Sequence, residues 1–182
     1  MTIKSTFALG AALLLGLGLG KPASAMSQTV KKAFIWNIVE SNGIKHGNIY
    51  LVFSDNTQEQ ITKKGNCSNP QVAADGKTVG WRQGEFLKYR DENPKRYWET
   101  SIALYRNGKT VKSVGPFDSR SLIGQWHFIQ QGKQVALRRY GMHGQSIYML
   151  WDVFGGYASS TWEEYDDGVK QVAPNWIEGL EE

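Results

Sequence analysis

The stretch Pro70-Gln71-Val72-Ala73-Ala74-Asp75-Gly76-Lys77-Thr78-Val79-Gly80-Trp81 reads as two short β runs folded about one tight turn. Asp-Gly supplies the positive φ angles that a two-residue hairpin turn requires. The same punctuation returns at Asn107-Gly108-Lys109 and at Gln131-Gly132-Lys133, each time between two β-type runs. Gln131 is a poorer turn residue than Asp or Asn, which leaves Gly132 to adopt the positive φ. Outward from these turns, residues 33–39, 48–53, 79–81, 102–105, 126–129, 134–137 and 147–151 form short β-rich runs bounded by turn residues. No long segment carries the 3.6-residue apolar period of a helix. Strands so closely spaced, with turns about every 8–12 residues, indicate an antiparallel meander. Asp55 and Asp152 stand at strand–turn junctions, where a carboxylate accepts turn N–H groups. With Asp75, Gly76, Asn107, Gly108 and Gly132 they are the expected structural turn residues.

An internal repeat runs through these hairpins. Residues 75–80 return as residues 131–136 at an offset of 56. His46-Gly47-Asn48-Ile49-Tyr50-Leu51 resembles His143-Gly144-Gln145-Ser146-Ile147-Tyr148-Met149, with Ser146 as one extra residue, and Ser101-Ile102-Ala103-Leu104-Tyr105 is a weaker third version. The chain thus alternates two kinds of hairpin. Two hairpins make a four-stranded unit of roughly 45 residues, the size of a propeller blade.

In these residues the chain resembles the TolB-like (WD-repeat-like) β-propeller repeat. Residues 70–81 look like that repeat's Pro-x-φ-Ser-Pro-Asp-Gly hairpin, and residues 147–155 look like its φ-φ-φ-Asp-x-x-Gly hairpin. Residues 51–55, with Gln60-Ile61-Thr62 after them, look like the same piece with its trailing φ-Thr. The resemblance covers most of residues 46–165. Ala73-Ala74 replaces Ser-Pro, Gln131 replaces the turn Asp, and Asn56 stands where a Gly is wanted. It implies an all-β fold of antiparallel four-stranded blade-like repeats and envelope protein partners. The chain has room for about three units, whereas closed propellers use about 4–8 blades. Three units leave strand edges and a blade face open to pairing. The expectation is therefore an incomplete or open propeller-like array, possible as half of a homodimeric ring. A curved meander or a β-sandwich is the alternative.

Residues 1–25 have the order of a cleavable secretory signal peptide. Lys4 opens it, an apolar run of 14 residues (7–20) follows, and Lys21-Pro22 leads to Ala23-Ser24-Ala25. The run contains Gly10, Gly16, Gly18 and Gly20 and falls short of the about 17–25 residues a spanning helix needs. Cleavage after Ala25 leaves a single domain, residues 26–182, with no membrane span, in a periplasmic or secreted location. Loss of Lys4 and Lys21 lowers the formal charge from +4 to +2. Such a chain with interspersed signs does not read as a nucleic-acid binder, which clusters its basic residues. The single Cys67 permits no internal disulfide and reads as a small half-buried residue beside a turn. Seven Trp and eight Tyr are available to build a core by packing.

Residues 82–100 interrupt the repeat and read as an inserted loop, a length that is uncommon without a function. The segment mixes basic and aromatic residues, which suits either a binding surface or a surface insertion whose Tyr and Trp cover the sheet edge. Arg90, Arg96, Tyr97 and Trp98 are its candidate binding residues. The tail, residues 166–182, carries Trp176 as a candidate cap. His46 and His143 hold equivalent places in the repeat, which suits bonding to turn backbone, with a shared ligand pocket as the other reading. His127, between Trp126 and Phe128, faces opposite to both. No His pair has metal-ligand spacing, and no nucleophile elbow or phosphate loop occurs, so neither a metal, a cofactor nor a catalytic residue is expected. Glu163-Glu164 and Asp166-Asp167 read as a solvated turn before Gly168. The function expected is a non-catalytic interaction module of the bacterial cell envelope binding an envelope protein. A polysaccharide-binding module is the alternative, and a hydrolase without a familiar motif is a third reading.

Overall fold

The structure is a computed structural model and describes residues 28–87, 95–117, 122–140, 145–163 and 172–180. The leader, residues 1–25, lies outside the described residues, as do Arg90, His143, Glu164 and Asp166-Asp167-Gly168. The elements in chain order are β1 (Val30–Ser41), β2 (Ile44–Phe53), β3 (Gln58–Gln60), β4 (Cys67–Val72), β5 (Thr78–Leu87), β6 (Arg96–Arg106), β7 (Lys109–Val114), β8 (Leu122–Ile129), β9 (Gln134–Tyr140), β10 (Ser146–Asp152) and β11 (Tyr157–Glu163). Single 3-10 turns occupy Gln130–Gly132 and Asn175–Ile177.

The hairpins form where turn chemistry allows them. Asp75 Oδ1 accepts the N–H groups of Lys77 (2.8 Å) and Thr78 (2.9 Å), and Gly76 takes a φ of 61°. Burial raises the Asp75 carboxyl, but these N–H groups, the Thr78 hydroxyl and Arg106 outweigh it and hold the pKa below its ordinary value. Asn107 and Gly108 both have positive φ, 50° and 79°, as a tight hairpin needs. Gly132 lies at 83°, and Gln130 and Gln131 are drawn to positive φ beside it. Asp55 Oδ1 accepts from the Thr57 N–H (2.9 Å) and hydroxyl (2.6 Å), which lowers its pKa. Asp152 Oδ1 accepts from Gly155 N–H at 2.5 Å.

All strand pairs are antiparallel. β4–β5–β6–β7 and β8–β9–β10–β11 are consecutive four-stranded meanders, the blade-like units expected, and β1–β2–β3 is a three-stranded one. One pairing, Gly47 with Cys67, joins the first two units into a seven-stranded sheet. Val30 N–H donates to Gly76 O at 2.7 Å, so β1 starts at the end where β4 finishes and β5 begins. β1, β2 and β3 therefore match β5, β6 and β7 in direction and order. The sequence repeat follows this: its three copies fall on β2, β6 and β10. The architecture is an open, propeller-like stack of about three units.

The units pack face to face through period-two burial. β1 and β2 turn Ala33, Ile35, Ile49, Leu51 and Phe53 toward Val79, Trp81 and Tyr105 of the second unit. The second unit's other face, with Ile102 and Leu104, meets Ile123, Trp126, Val135 and Leu137 of the third. The third unit's outer face, Ala136 and Tyr148, is covered by Ile177 and Leu180 of the tail. Trp176, the expected cap, is only partly buried, and the aliphatic pair beside it seals the face. His127 projects opposite to Trp126 toward this tail, where it lies close to Gly179.

Candidate interaction surface

Residues 82–100 are not an inserted loop where the structure describes them. β5 and β6 run on as a ladder from Gly84–Glu99 to Leu87–Arg96, past a bulge at Gln83 and Gly84. The physical reason is Tyr97. Its ring is fully buried and stacks on His46 at 4.2 Å, 16° from parallel. Its hydroxyl donates to Asn66 O at 2.8 Å, and its backbone exchanges two hydrogen bonds with the Asn42 amide. Burial, then the Glu99 charge, push the Tyr97 pKa up. Tyr97 is a packing residue and offers no surface to a partner. Gly84 makes room for it: a Cβ there would lie 2.6 Å from Tyr97 Cε2.

His46 is tied from both nitrogens, Nδ1 to Gly65 O at 2.6 Å and Nε2 to Ser41 Oγ at 3.0 Å. This is the turn-holding role expected. Arg96 is exposed, Trp98 is half-buried, and Phe86 adds an exposed ring beside Tyr97. Cys67 is fully buried, deeper than expected, and burial raises its thiol pKa. Arg82 on β5 and Glu99 on β6 form an ion pair at 2.8 Å within the second unit. Ser68 Oγ donates to the other carboxylate oxygen, and Arg82 Nη2 donates to Gly124 O on β8. Arg82 and Glu99 thus fix the stack internally, while Glu85, Lys95 and Arg96 face solvent.

The open surface lies elsewhere, on the first unit. Lys32, Phe34 and Trp36 alternate along β1 away from the core, with Tyr50 beside them on β2. Phe34 and Tyr50 stack at 5.8 Å, Trp36 stands at 87° to Phe34, and Lys32 Nζ lies 5.9 Å from the Phe34 centroid. Tyr50 donates its hydroxyl to Gln60 on β3 at 2.8 Å. Trp36, Ile38 and Val39 are 58%, 58% and 55% exposed. β1 is bulged between Trp36 and Val39, where Asn37 takes a φ of 54°. Gly47 accommodates the bulge, since a Cβ there would sit 2.5 Å from Trp36 O. Among the described residues β1 pairs on one edge only, with β2. Sequence reasoning missed this face, although the period-two spacing of Lys32, Phe34 and Trp36 was its signal.

No protein-family model matches the chain, and no curated protein matches it. Among solved structures it is similar to the β-propeller domain of the Trilobed protease from Pyrococcus furiosus, described as an open velcro topology. The identity is 10% and the TM-score 0.46, over 77% of this chain and 44% of that one. It is also similar to dipeptidyl peptidase 4 of Porphyromonas gingivalis, at 14% identity and a TM-score of 0.44, over 66% of this chain and 24% of that one. The chain spans less than half the length of either.

Proposed function

We propose that the chain is an exported, non-catalytic interaction module of the bacterial cell envelope, built of TolB-like propeller blades, that holds a protein partner on its first unit. The observation that carries this is the unequal treatment of the two ends of the stack. Residues 173–180 cover the outer face of the third unit, while the first unit presents Phe34, Trp36, Ile38, Val39 and Tyr50 beside an unpaired β1 edge. An exposed apolar surface next to a strand edge that is unpaired among the described residues suits strand addition by a partner. Lys31 and Lys32 at one end of β1 favour a partner strand with an acidic residue opposite them. The leader-like residues 1–25 support an envelope location. The polysaccharide reading is weaker because Phe34 and Trp36 are nearly perpendicular and form no coplanar strip for sugar stacking. A ring of two chains would need the third unit's outer face, which the tail occupies, so a second copy fits only first unit to first unit.

The test is a photo-reactive amino acid placed at position 36 and, as control, at exposed position 161, in intact cells. A discrete polypeptide adduct from position 36 alone, whose binding to the purified protein is lost in Trp36→Asp, supports the reading. Adducts at both positions, a glycan adduct or none at position 36 overturns it. A cross-linked dimer of the chain replaces the foreign partner with a second copy. N-terminal sequencing of the periplasmic fraction should begin at Met26; a full-length cytoplasmic product overturns the export step.

A further inference from the structure

On the rim of the stack, away from the first unit, a groove of about 430 Å³ opens between the second and third units. It is lined by Arg106, Thr110, Val111, Val153 and Phe154. Arg106 ends β6, Thr110 and Val111 belong to β7, and Val153 and Phe154 form the turn after β10. Val153 is buried and gives the groove an apolar floor, while the Phe154 ring is 58% exposed and forms a wall.

The guanidinium of Arg106 is fixed on one side. Nη1 donates to Thr78 Oγ1 at 2.8 Å and pairs with Asp75 Oδ2 at 3.2 Å. Thr78 Oγ1 in turn donates to Asp75 Oδ2 at 2.9 Å. The plane is also held 4.7 Å from the Phe154 centroid, a cation–π contact. The hydrogen bond and the ion pair both fall on Nη1, which carries two hydrogens. Nε and Nη2 carry three more, and this edge meets no acceptor among the described residues. It is the edge of the fork that receives a carboxylate by two parallel hydrogen bonds. Asp75 offsets the charge of Arg106, but exposed Lys77, Lys109 and Lys133 stand on the neighbouring turns. Lys109 is paired with Arg106 in the β6–β7 ladder, and Lys133 O accepts the Val153 N–H at 3.0 Å. Apart from Asp75, the acid on these turns is Asp152, whose Oδ1 is engaged by Gly155 N–H.

We propose that this groove binds a carboxylate carried on an apolar group. The carboxylate sits on the Nε–Nη2 edge of Arg106, and the apolar group lies on Val111 and Val153 against the Phe154 ring. A held guanidinium beside an apolar floor selects both halves of such a ligand at once. The site is separate from the first-unit surface and stands or falls without it.

The probes are 3-phenylpropionate, its uncharged amide, and an N-acetylated tripeptide ending in phenylalanine with a free carboxylate. Binding is followed by amide chemical-shift changes in the isotopically labelled protein. The acid should shift Thr110, Val111, Val153 and Phe154, with the amide at least about tenfold weaker, as loss of a charge-assisted pair requires. Arg106→Lys keeps a cation for Asp75 but loses the fork, and should weaken the acid about tenfold while the amide spectrum elsewhere stays that of a folded protein. Phe154→Ala alters an exposed ring and should weaken the acid without disturbing the fold. Tighter binding of the tripeptide identifies a peptide C-terminus as the natural source, and equal binding identifies a free acid. Equal binding of acid and amide overturns the proposal, as does the absence of shifts at these four residues up to about 10 mM, a range in which a fragment of this size should register.

Discussion

Glu99→Ala should be among the most damaging single changes in this chain. The carboxylate accepts from Ser68 Oγ and pairs with Arg82 at 2.8 Å, and the two side chains are 6% and 17% exposed. Removing it leaves the Arg82 guanidinium with the Gly124 carbonyl as its acceptor, in a place where water reaches it poorly. Arg82 Nε already lacks a partner among the described residues. Breaking one side of a buried pair costs about 3–5 kcal/mol, and the residual exposure of Arg82 places this case near about 3. With a urea m-value of about 2 kcal/mol/M, the unfolding midpoint should fall by about 1.5 M. The control is the double change Arg82→Met with Glu99→Leu, which removes both charges and fills the same space. It should be at least about 1 kcal/mol more stable than Glu99→Ala, since a well-packed apolar pair replaces a buried ion pair at little cost, with the unpartnered Ser68 hydroxyl keeping it below the parent. Urea unfolding followed by tryptophan fluorescence measures all three proteins. A Glu99→Ala loss below about 0.5 kcal/mol at unchanged m, or a double variant no better than the single one, would refute the assignment of this pair as the buried lock that holds Arg82 within the second unit and aims it at β8.

Gly84→Ala should cost about 1–3 kcal/mol by overpacking against the buried Tyr97 ring, read as a lowered urea midpoint. Leu180→Ala removes a fully buried side chain from the cap on the third unit and should cost about 2–5 kcal/mol. Increased binding of a hydrophobic dye would show that the third unit's outer face has opened. Burial depresses the His127 pKa below its ordinary 6.5, so the unfolded chain binds the proton more readily. The stability His127 contributes is full above pH 6.5 and falls as pH drops through the lowered folded value. His127→Gln should flatten the midpoint–pH curve in that window, and an unchanged curve would remove this role.

The hairpins were legible in the sequence because turn chemistry is local. Asp75-Gly76, Asn107-Gly108, Asp55 and Asp152 bond within three residues of themselves, and a reader needs no third dimension to see them. The repeat was legible for the same reason, and it located the next-to-last strand of each unit. Residues 82–100 were misread because their governing contacts are remote. Tyr97 is held by His46, Asn42 and Asn66, between 31 and 55 positions away. A basic and aromatic composition is the same whether a segment faces solvent or locks two layers together. The Phe34–Trp36 surface was passed over because an exposed face and a buried one share the same alternation. What separates them is which neighbouring layer is present, and that is a property of the whole stack.

The layered core also determines how cooperativity is distributed. Each apolar cluster is shared by two adjacent layers, and the cluster under the first unit has no member in common with the one beneath the tail. The molecule is therefore a one-dimensional series of interfaces in which each layer senses its nearest neighbours. Opening at the tail bares the third layer and leaves the first interface intact. Amide hydrogen exchange should follow a gradient along that axis, slowest in β5 and β6, which are clamped from both sides, and fastest toward the two outer layers.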